Sequence, residues 1–108
     1  MRFEALELSI DLIALLCEPV RTLARRNPDL HRQIRKSLSS VPLNVAEGAG
    51  RVGRDREHHF RIAYGSLLES HAALRAAVAW GDLTREAIAP ALPTLDRLRG
   101  ILWGLGGR

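Results

Sequence analysis

The sequence predicts an all-α protein: an antiparallel, up-down-up-down four-helix bundle that forms a single domain over residues 1–108. Three observations support this prediction. Apolar residues recur at alternating steps of three and four along most of the chain, which is the spacing of amphipathic helices. No stretch alternates apolar and polar residues for long enough to form a strand. The connections between the helical patterns are short, so successive helices should be neighbours that run in opposite directions.

Length and composition limit the class of protein. A chain of 108 residues holds one hydrophobic core, and 46% hydrophobic with 26% charged residues is typical of a folded domain. The N-terminal stretch MRFEALELSIDLIALL carries Glu4, Glu7 and Asp11 among its apolar residues, so we expect neither a signal peptide nor a membrane span. Because Cys17 is the single cysteine, no intramolecular disulfide can form. We therefore expect a soluble, cytoplasmic protein.

The first predicted helix is roughly 24 residues long and ends at Asn27, because the residue before a proline is pushed out of the helical conformation. Asp29 is then expected to cap the second helix. The apolar stripe of the first helix consists of Phe3, Leu6, Ile10, Ile13, Cys17 and Val20, widened by Leu12, Leu16 and Leu23. Since Cys17 falls on this stripe, we expect its thiol to be buried and inert.

The second helix is predicted to begin near residue 30 and to end at Gly48-Ala49-Gly50, and the third to run from an N-cap at Asp55 to Gly81. Their apolar stripes are Leu30, Ile34, Leu38, Val41 and Val45, then Phe60, Tyr64, Leu67, His71, Leu74 and Val78. The fourth helix has the stripe Ile88, Leu92, Leu95, Leu98, Leu102 and Leu105. Pro90 and Pro93 are expected to kink its first turns or to split off a short leading piece.

The stretch SVPLNVAEGAGR places weak helix formers inside the second helix. Pro42 removes one intrahelical hydrogen bond at a cost of about 3 kcal/mol unless the fold uses the bend, so we expect a kink there. Asn44, Glu47 and Gly48 share one face, and Gly48 allows close packing against small residues of the third helix. The small residues are Ala63, Gly65, Ser66, Ser70, Ala73 and Ala77, opposite Ala46, Gly48 and Ala49. A structural role for this stretch is favoured over a catalytic or binding role.

Positive charge is concentrated in the middle of the chain, although the formal net charge is only +4. Between Arg21 and Arg61 there are ten basic and four acidic residues, a balance of +6, so the remainder carries −2. Arginine suits phosphate because its planar guanidinium donates several hydrogen bonds in a fixed fork. The candidate nucleic-acid-binding residues are Arg32, Arg35, Lys36, Arg51, Arg54, Arg56 and Arg61.

The segments QIRKSLSSVPLNVAEGAGR and HFRIAYGSLLES resemble the hallmark of a family of four-helix-bundle proteins first recognised as reading frames in intervening sequences of bacterial 23S rRNA genes. The matching residues are Gln33, Arg35, Val41, Pro42, Asn44, Val45, Ala46, Glu47, Gly48, Gly50, Arg51, Ile62, Ala63, Gly65, Ser66, Leu67 and Glu69. Two positions depart from the family pattern. His59 replaces the usual phenylalanine, and His71 stands where the family often has an acidic residue.

The resemblance implies an up-down bundle that assembles into homopentamers, as characterised relatives do. Distantly similar proteins include the accessory variability determinants of diversity-generating retroelements, which bind reverse transcriptase and RNA. Members of the family generally lack an assigned enzymatic activity. Among the residues that carry the resemblance, we expect a structural role for Pro42, Asn44, Glu47, Gly48, Gly50, Gly65 and Ser66.

The sequence contains no recognisable catalytic or metal-binding arrangement. A di-metal bundle would need E-x-x-H motifs, and the sequence has none. His58 and His59 point to different sides of a helix. The glycine-rich GAGRVG follows a helix and lacks the lysine of a P-loop. We therefore expect no enzymatic activity, no metal and no other cofactor.

Three uses of the basic segment remain open from the sequence. In the first, the arginines bind phosphates of structured RNA, and an oligomer repeats this surface in each subunit. In the second, the chain is a protein-interaction scaffold whose arginines pair with acidic residues of neighbouring subunits or of a partner such as a reverse transcriptase. The third is a solvated face without a ligand. Surplus apolar residues on the first helix, with Trp80 and Trp103 near helix ends, predict a homo-oligomer.

Overall fold

The computed structural model describes residues 3–106, and four long helices contain most of them. The elements in chain order are α1 (Glu4–Arg26), α2 (Pro28–Ala49), α3 (Gly53–Trp80), a short α4 (Arg85–Ile88), one 3-10 turn (Ala89–Ala91) and α5 (Leu92–Leu105). The predicted all-α four-helix bundle is therefore confirmed. No helix in the described range is long and apolar enough to span a membrane.

Side-chain pairs show that neighbouring helices run in opposite directions. Ser37 of α2 contacts Ser70 of α3, whereas Asn44, further along α2, contacts His59, which comes earlier in α3. Helices α3 and α5 are also antiparallel, as shown by the pairs Arg61–Gly106, Tyr64–Trp103 and His71–Asp96. The short connections leave this antiparallel packing as the economical way to bury the apolar faces.

Two helix starts differ from the prediction. Asn27, and not Asp29, caps α2, because its Oδ1 accepts a hydrogen bond of 3.2 Å from the backbone N of Leu30. Asp29 lies instead in the first turn of α2. Helix α3 begins at Gly53, two residues before the expected cap Asp55, and Gly53 has a φ of +60° that suits the turn into the helix.

The buried face of α1 is also rotated from its predicted position. Its buried residues are Ala5, Ser9, Leu12, Leu16, Val20 and Leu23. Ile10, predicted to lie on the stripe, is 50% exposed, and Cys17 is exposed rather than buried. Apolar residues occupy most of the circumference of this helix, so periodicity alone does not select the buried face. Ser9 fits in the core because its Oγ donates to the backbone O of Ala5 at 2.6 Å.

Two of the segments that contain proline behave differently from each other. The expected short leading piece before the last helix is confirmed: α4 and the 3-10 turn precede α5, and Pro93 lies at the start of α5. In α2, by contrast, the helix continues through Pro42, which is buried. The kink at this proline remains a prediction. The termination of α3 at Gly81, with a φ of +82°, agrees with the sequence.

Candidate nucleic-acid interface

A series of hydrogen-bonded polar side chains crosses the interface between α2 and α3. Ser37 and Ser70 are buried, and their Oγ atoms lie 2.7 Å apart in a hydrogen bond. Ser70 also donates to the backbone O of Ser66 at 2.8 Å, and the Ser66 Oγ donates to the Ser40 Oγ at 2.9 Å. Within residues 3–106 no buried side-chain polar atom lacks a hydrogen-bond partner. The serines are therefore paired with one another across the helices, as buried polar groups require.

Asn44 extends this series toward the α2–α3 connection. Its Nδ2 donates to the backbone O and the Oγ of Ser40, at 2.9 and 3.0 Å. Its Oδ1 lies 3.1 Å from the Nδ1 of His59. Because an amide oxygen only accepts, the network assigns the hydrogen to Nδ1 and leaves the His59 Nε2 facing Asp55 at 3.9 Å. We call Ser37, Ser40, Asn44, His59, Ser66 and Ser70 the polar seam.

Gly48 lies where α2 and α3 approach most closely in this region. It is buried, and a Cβ at this position would lie 2.7 Å from Cε1 of Phe60 and 2.9 Å from its Cδ1. The close packing predicted for Gly48 is confirmed, but its partner is an aromatic ring and not the strip of small residues. Ala46 and Ala49 are exposed, and Gly65 has an open environment on the outer face of α3.

Arg56 closes the C-terminal end of α2. Its Nη1 donates to the backbone O atoms of Gly48 and Ala49, both at 3.3 Å. The guanidinium carbon lies 4.9 Å from the centroid of the Phe60 ring, which is a cation–π contact. Basic side chains commonly satisfy the last carbonyl groups of a helix in this way. Arg56 is therefore engaged in holding the corner between α2 and α3 together.

Arg51 is held by two carboxylates. Its Nη1 donates to Asp55 at 2.9 Å, and its Nη2 and Nε donate to Glu47 at 3.2 and 3.3 Å. These hydrogen bonds, first to Asp55 and then to Glu47, raise the pKa of Arg51 above its usual value. The positive charge of Arg51 is thus matched by two negative charges within the same corner.

The two remaining cations of this corner differ from each other. Arg61 is half-buried and donates from Nη1 to the backbone O of Gly106 at 2.7 Å, so it ties α3 to the end of α5. Arg54 is exposed and forms no hydrogen bond or ion pair with any residue between 3 and 106. One of the four predicted phosphate-binding cations at the α2–α3 corner is therefore unengaged.

The candidates on α2 itself form a separate group. Arg32 pairs with Asp29 on the surface, an arrangement worth only about 0–1 kcal/mol. Arg35 and Lys36 are exposed and make no hydrogen bond or ion pair in the described part of the chain. At 1.5 Å per helical residue, Lys36 and the end of α2 at Ala49 are about 20 Å apart along the axis. The candidates on α2 and those at the α2–α3 corner therefore lie at different levels of the bundle.

Additional cations lie at the end of the bundle where α1 passes into α2 and α3 into α4. A hydrogen bond of 3.0 Å from Asn27 Nδ2 to Asp82 Oδ2 joins these two connections. The exposed cations of this region that have no hydrogen bond or ion pair within residues 3–106 are Arg25, Arg26, Arg35, Lys36, Arg75 and Arg85. We call these six residues the basic end. The acidic Glu18 nearby is already paired with Arg21.

Sequence reasoning did not include Arg75 and Arg85 among the candidates, because both lie outside the segment in which positive charge is concentrated. The predicted antiparallel order of the helices, however, was enough to indicate where these two arginines lie. If α2 and α3 run in opposite directions, the C-terminal turns of α3 must lie beside the N-terminal half of α2. That placement brings Arg75 and Arg85 to the same half of the bundle as Arg35 and Lys36, with Arg35 on the α1–α2 side and Arg75 on the α3–α5 side.

The titratable groups outside the polar seam are scattered. No cluster of three or more His, Cys, Asp or Glu residues that could hold a metal occurs among the described residues. The exposed Cys17 accepts a hydrogen bond of 3.3 Å from Arg21 Nη2. His71 is half-buried on the α3–α5 side, where burial first and the charge of Arg75 second lower its pKa.

The helices and their packing define a four-helix-bundle protein with a polar seam and an uneven distribution of free cations. The family described as "23S rRNA-intervening sequence protein" matches residues 2–104. The chain therefore belongs to the family of 23S rRNA-intervening sequence proteins, which confirms the resemblance seen in the sequence.

A solved structure supports the fold independently. It is the crystal structure of a protein described as having unknown function, from the S23 ribosomal protein family of Bacteroides thetaiotaomicron VPI-5482. The two chains are 18% identical, with a TM-score of 0.75 over 97% of this chain and 96% of the other. At this level of identity the similarity shows the fold alone. A search of curated proteins found no match.

Proposed function

We propose that this protein is a non-enzymatic homo-oligomer that binds structured RNA through phosphate contacts made by the basic end. The observation that carries this proposal is the group of six exposed cations without a partner in the described chain. Phosphate contacts from Arg and Lys supply most of the sequence-independent affinity for nucleic acid, because each contact releases condensed counterions. Free cations can make such contacts without first breaking an existing ion pair.

The proposed surface differs from the one favoured by the sequence. At the α2–α3 corner, Arg51, Arg56 and Arg61 already bind carboxylates or backbone carbonyl groups. Redirecting them to phosphate would remove contacts that hold the helices together. Arg35 and Lys36 carry no such role. The basic end is therefore the better candidate.

Oligomerisation would multiply these contacts. Several large apolar side chains are exposed in the single chain, including Ile10, Leu43 and Trp103 at 50%, 66% and 48%. Side chains of this kind would supply apolar contacts if copies of the chain associate. A homopentamer, which the family resemblance implies, would present five copies of the basic end to one RNA. Individually weak contacts would then add through multivalency.

The experiment that tests RNA binding is fluorescence anisotropy with a labelled RNA hairpin at increasing salt concentration. We expect the paired change Arg35→Gln and Lys36→Gln to weaken binding and to reduce the salt dependence by about one unit of slope for each lost contact. Arg54→Gln is the matched control, because Arg54 is equally free but lies at the other corner. Equal losses for both sites would argue against the basic end, and no binding at low salt would overturn RNA binding itself.

A second candidate function is a protein-interaction scaffold, possible partners being further copies of this chain or an acidic protein. The exposed Leu43 and Ile10 favour it, because apolar side chains contribute to protein interfaces and not to phosphate binding. A scaffold whose subunits associate through arginine–carboxylate pairs is less well supported. Glu4 and Glu18, two acidic residues of α1, already pair with Arg97 and Arg21 of the same chain.

A further inference from the structure

A small groove lies at the basic end, between the last turns of α3 and the short helix α4. Its volume is about 250 Å³, and it is lined by Arg75, Val78, Ala79, Arg85 and Ile88. Two cations from different helices thus border a floor of apolar side chains. The groove is separate from the polar seam and from every cation that the sequence singled out.

Two carboxylates, Asp82 and Glu86, lie within three residues of Arg85, but neither forms an ion pair with the arginines of the groove in the described chain. Arg75 and Arg85 are exposed, and neither forms a hydrogen bond or an ion pair with residues 3–106. The carboxylate of Asp82, in the adjoining turn, accepts a hydrogen bond from Asn27. Glu86, next to Arg85, is exposed to solvent. Two guanidinium groups around one groove can hold the oxygen atoms of a single phosphate from two sides.

The floor of the groove suits a flat apolar group. Ile88 is almost completely buried, Val78 is half-buried, and Ala79 is exposed. Trp80, the residue after Ala79, is 76% exposed at the same end of α3. A volume of 250 Å³ lies below the range of about 300–1,000 Å³ that is typical of pockets for drug-sized ligands. A single nucleobase with its phosphate matches this combination of size, charge and apolar surface.

We propose that this groove binds one unpaired nucleotide of an RNA, with its phosphate held by Arg75 and Arg85 and its base against Val78 and Ile88. The inference rests on the proposed function and deepens it, because it names the part of the RNA that enters the protein. Apart from the two arginines, the groove lining presents no polar side chain. The base therefore contacts the groove through its apolar faces, and the site binds any of the four bases.

The test measures the binding of two labelled RNAs by fluorescence anisotropy at low salt. One is an oligouridylate of about ten nucleotides, which stays single-stranded, and the other is a blunt duplex of about 16 base pairs. We expect Arg75→Gln and Arg85→Gln each to weaken oligouridylate binding about tenfold and duplex binding by no more than about threefold.

Ala79→Glu places a carboxylate at an exposed position of the groove and should repel the phosphate to a similar extent. Ala46→Glu is its matched control, because it adds the same charge at an exposed position of α2, near the opposite end of the bundle and without an arginine or lysine three or four residues away. Circular dichroism of each variant establishes that the helices are retained.

The outcomes separate this inference from the proposed function. If both RNAs bind but the groove variants lose no more oligouridylate affinity than Ala46→Glu does, the nucleotide site is wrong and RNA binding stands. If neither RNA binds at low salt, both proposals fail. If an acidic peptide containing phenylalanine binds in a manner that requires Arg75 and Arg85, and oligouridylate does not, the groove is a protein-binding site and the inference is overturned.

Discussion

Gly48 and the ring of Phe60 are packed so closely that a Cβ on Gly48 would lie 2.7 Å from Cε1 of the ring. Phe60 is buried and also carries the guanidinium of Arg56 on its face, 4.9 Å from the ring centroid. The end of α2, the first turns of α3 and one arginine therefore meet at a single aromatic side chain. This corner explains why a glycine stands inside the last turns of α2.

Gly48→Ala is expected to destabilise the protein, because the new methyl group must displace Phe60 or separate the helices. Overpacking of this kind costs about 1–3 kcal/mol, reduced by the better helix propensity of alanine. Gly65→Ala is the matched control, since a Cβ there meets nothing within 4 Å and should stabilise α3 by about 0.5–1 kcal/mol. Urea denaturation of both variants measures the difference. A stabilised Gly48→Ala variant would contradict the close packing.

The hydrogen bond between Ser37 and Ser70 is expected to couple the two residues energetically. Each single change to alanine leaves a buried hydroxyl with fewer partners and should cost about 1–2 kcal/mol. The double variant should lose less than the sum of the singles, by roughly 1 kcal/mol, because no hydroxyl is then left behind. A double-mutant cycle of unfolding free energies gives this coupling directly. Strict additivity would show that the seam does not link α2 to α3.

Arg56→Gln should destabilise the fold by about 1–2 kcal/mol, because it removes the donor to Gly48 and Ala49 and the contact with Phe60. Arg54→Gln, two residues away and without a partner in the described chain, should change stability by no more than about 0.5 kcal/mol. Thermal unfolding of the two variants distinguishes a structural arginine from a free one. Equal effects would mean that the two side chains do not differ in role.

His71 provides a prediction about pH. Burial, followed by the charges of Arg75 and Arg99, lowers its pKa below the usual 6.5, and Asp96 opposes the effect. As the pH falls, His71 therefore becomes protonated at a higher pH in the unfolded chain than in the folded protein. The contribution of His71 to stability is complete above about pH 6.5 and is lost as the pH falls through the folded pKa.

Nuclear magnetic resonance of the imidazole protons measures this titration in the folded protein. The midpoint for His71 should lie below 6.5, and Arg75→Gln should move it upward because one repelling charge is removed. The free energy of unfolding of the wild type, relative to that of His71→Gln, should decrease as the pH is lowered from neutral to mildly acidic values. A midpoint that does not respond to Arg75→Gln would contradict the placement of this cation near the imidazole.

The sequence was sufficient to predict the four-helix architecture, since helical periodicity and short connections are local features. It also predicted that Gly48 is a point of close approach. It did not identify Phe60 as the partner, because the contact depends on how far α3 is rotated about its own axis. For the same reason the prediction for α1 was right for Leu12, Leu16, Val20 and Leu23 but wrong for Ile10 and Cys17, which are exposed.

The candidate interface was less predictable than the fold. Arg51, Arg54 and Arg56 look alike in the sequence, yet two are held by neighbouring groups and one is free. Their difference arises from where α2 ends and from the directions in which the side chains of Arg54 and Arg56 leave α3. Conversely, Arg75 belongs to the basic end only because α3 packs antiparallel to α2. This is a tertiary relationship, and counting charges along the chain does not show it.

The measurement that decides most about this protein is light scattering after size-exclusion chromatography, at low and high salt, with and without a structured RNA. We expect one oligomer that persists in high salt, and an RNA complex at low salt that dissociates as salt is raised. Changing Arg35 and Lys36 to glutamine should weaken the complex and leave the oligomer intact. A monodisperse monomer at micromolar concentration, or an oligomer that dissociates in salt and binds no RNA at low salt, would contradict the proposal.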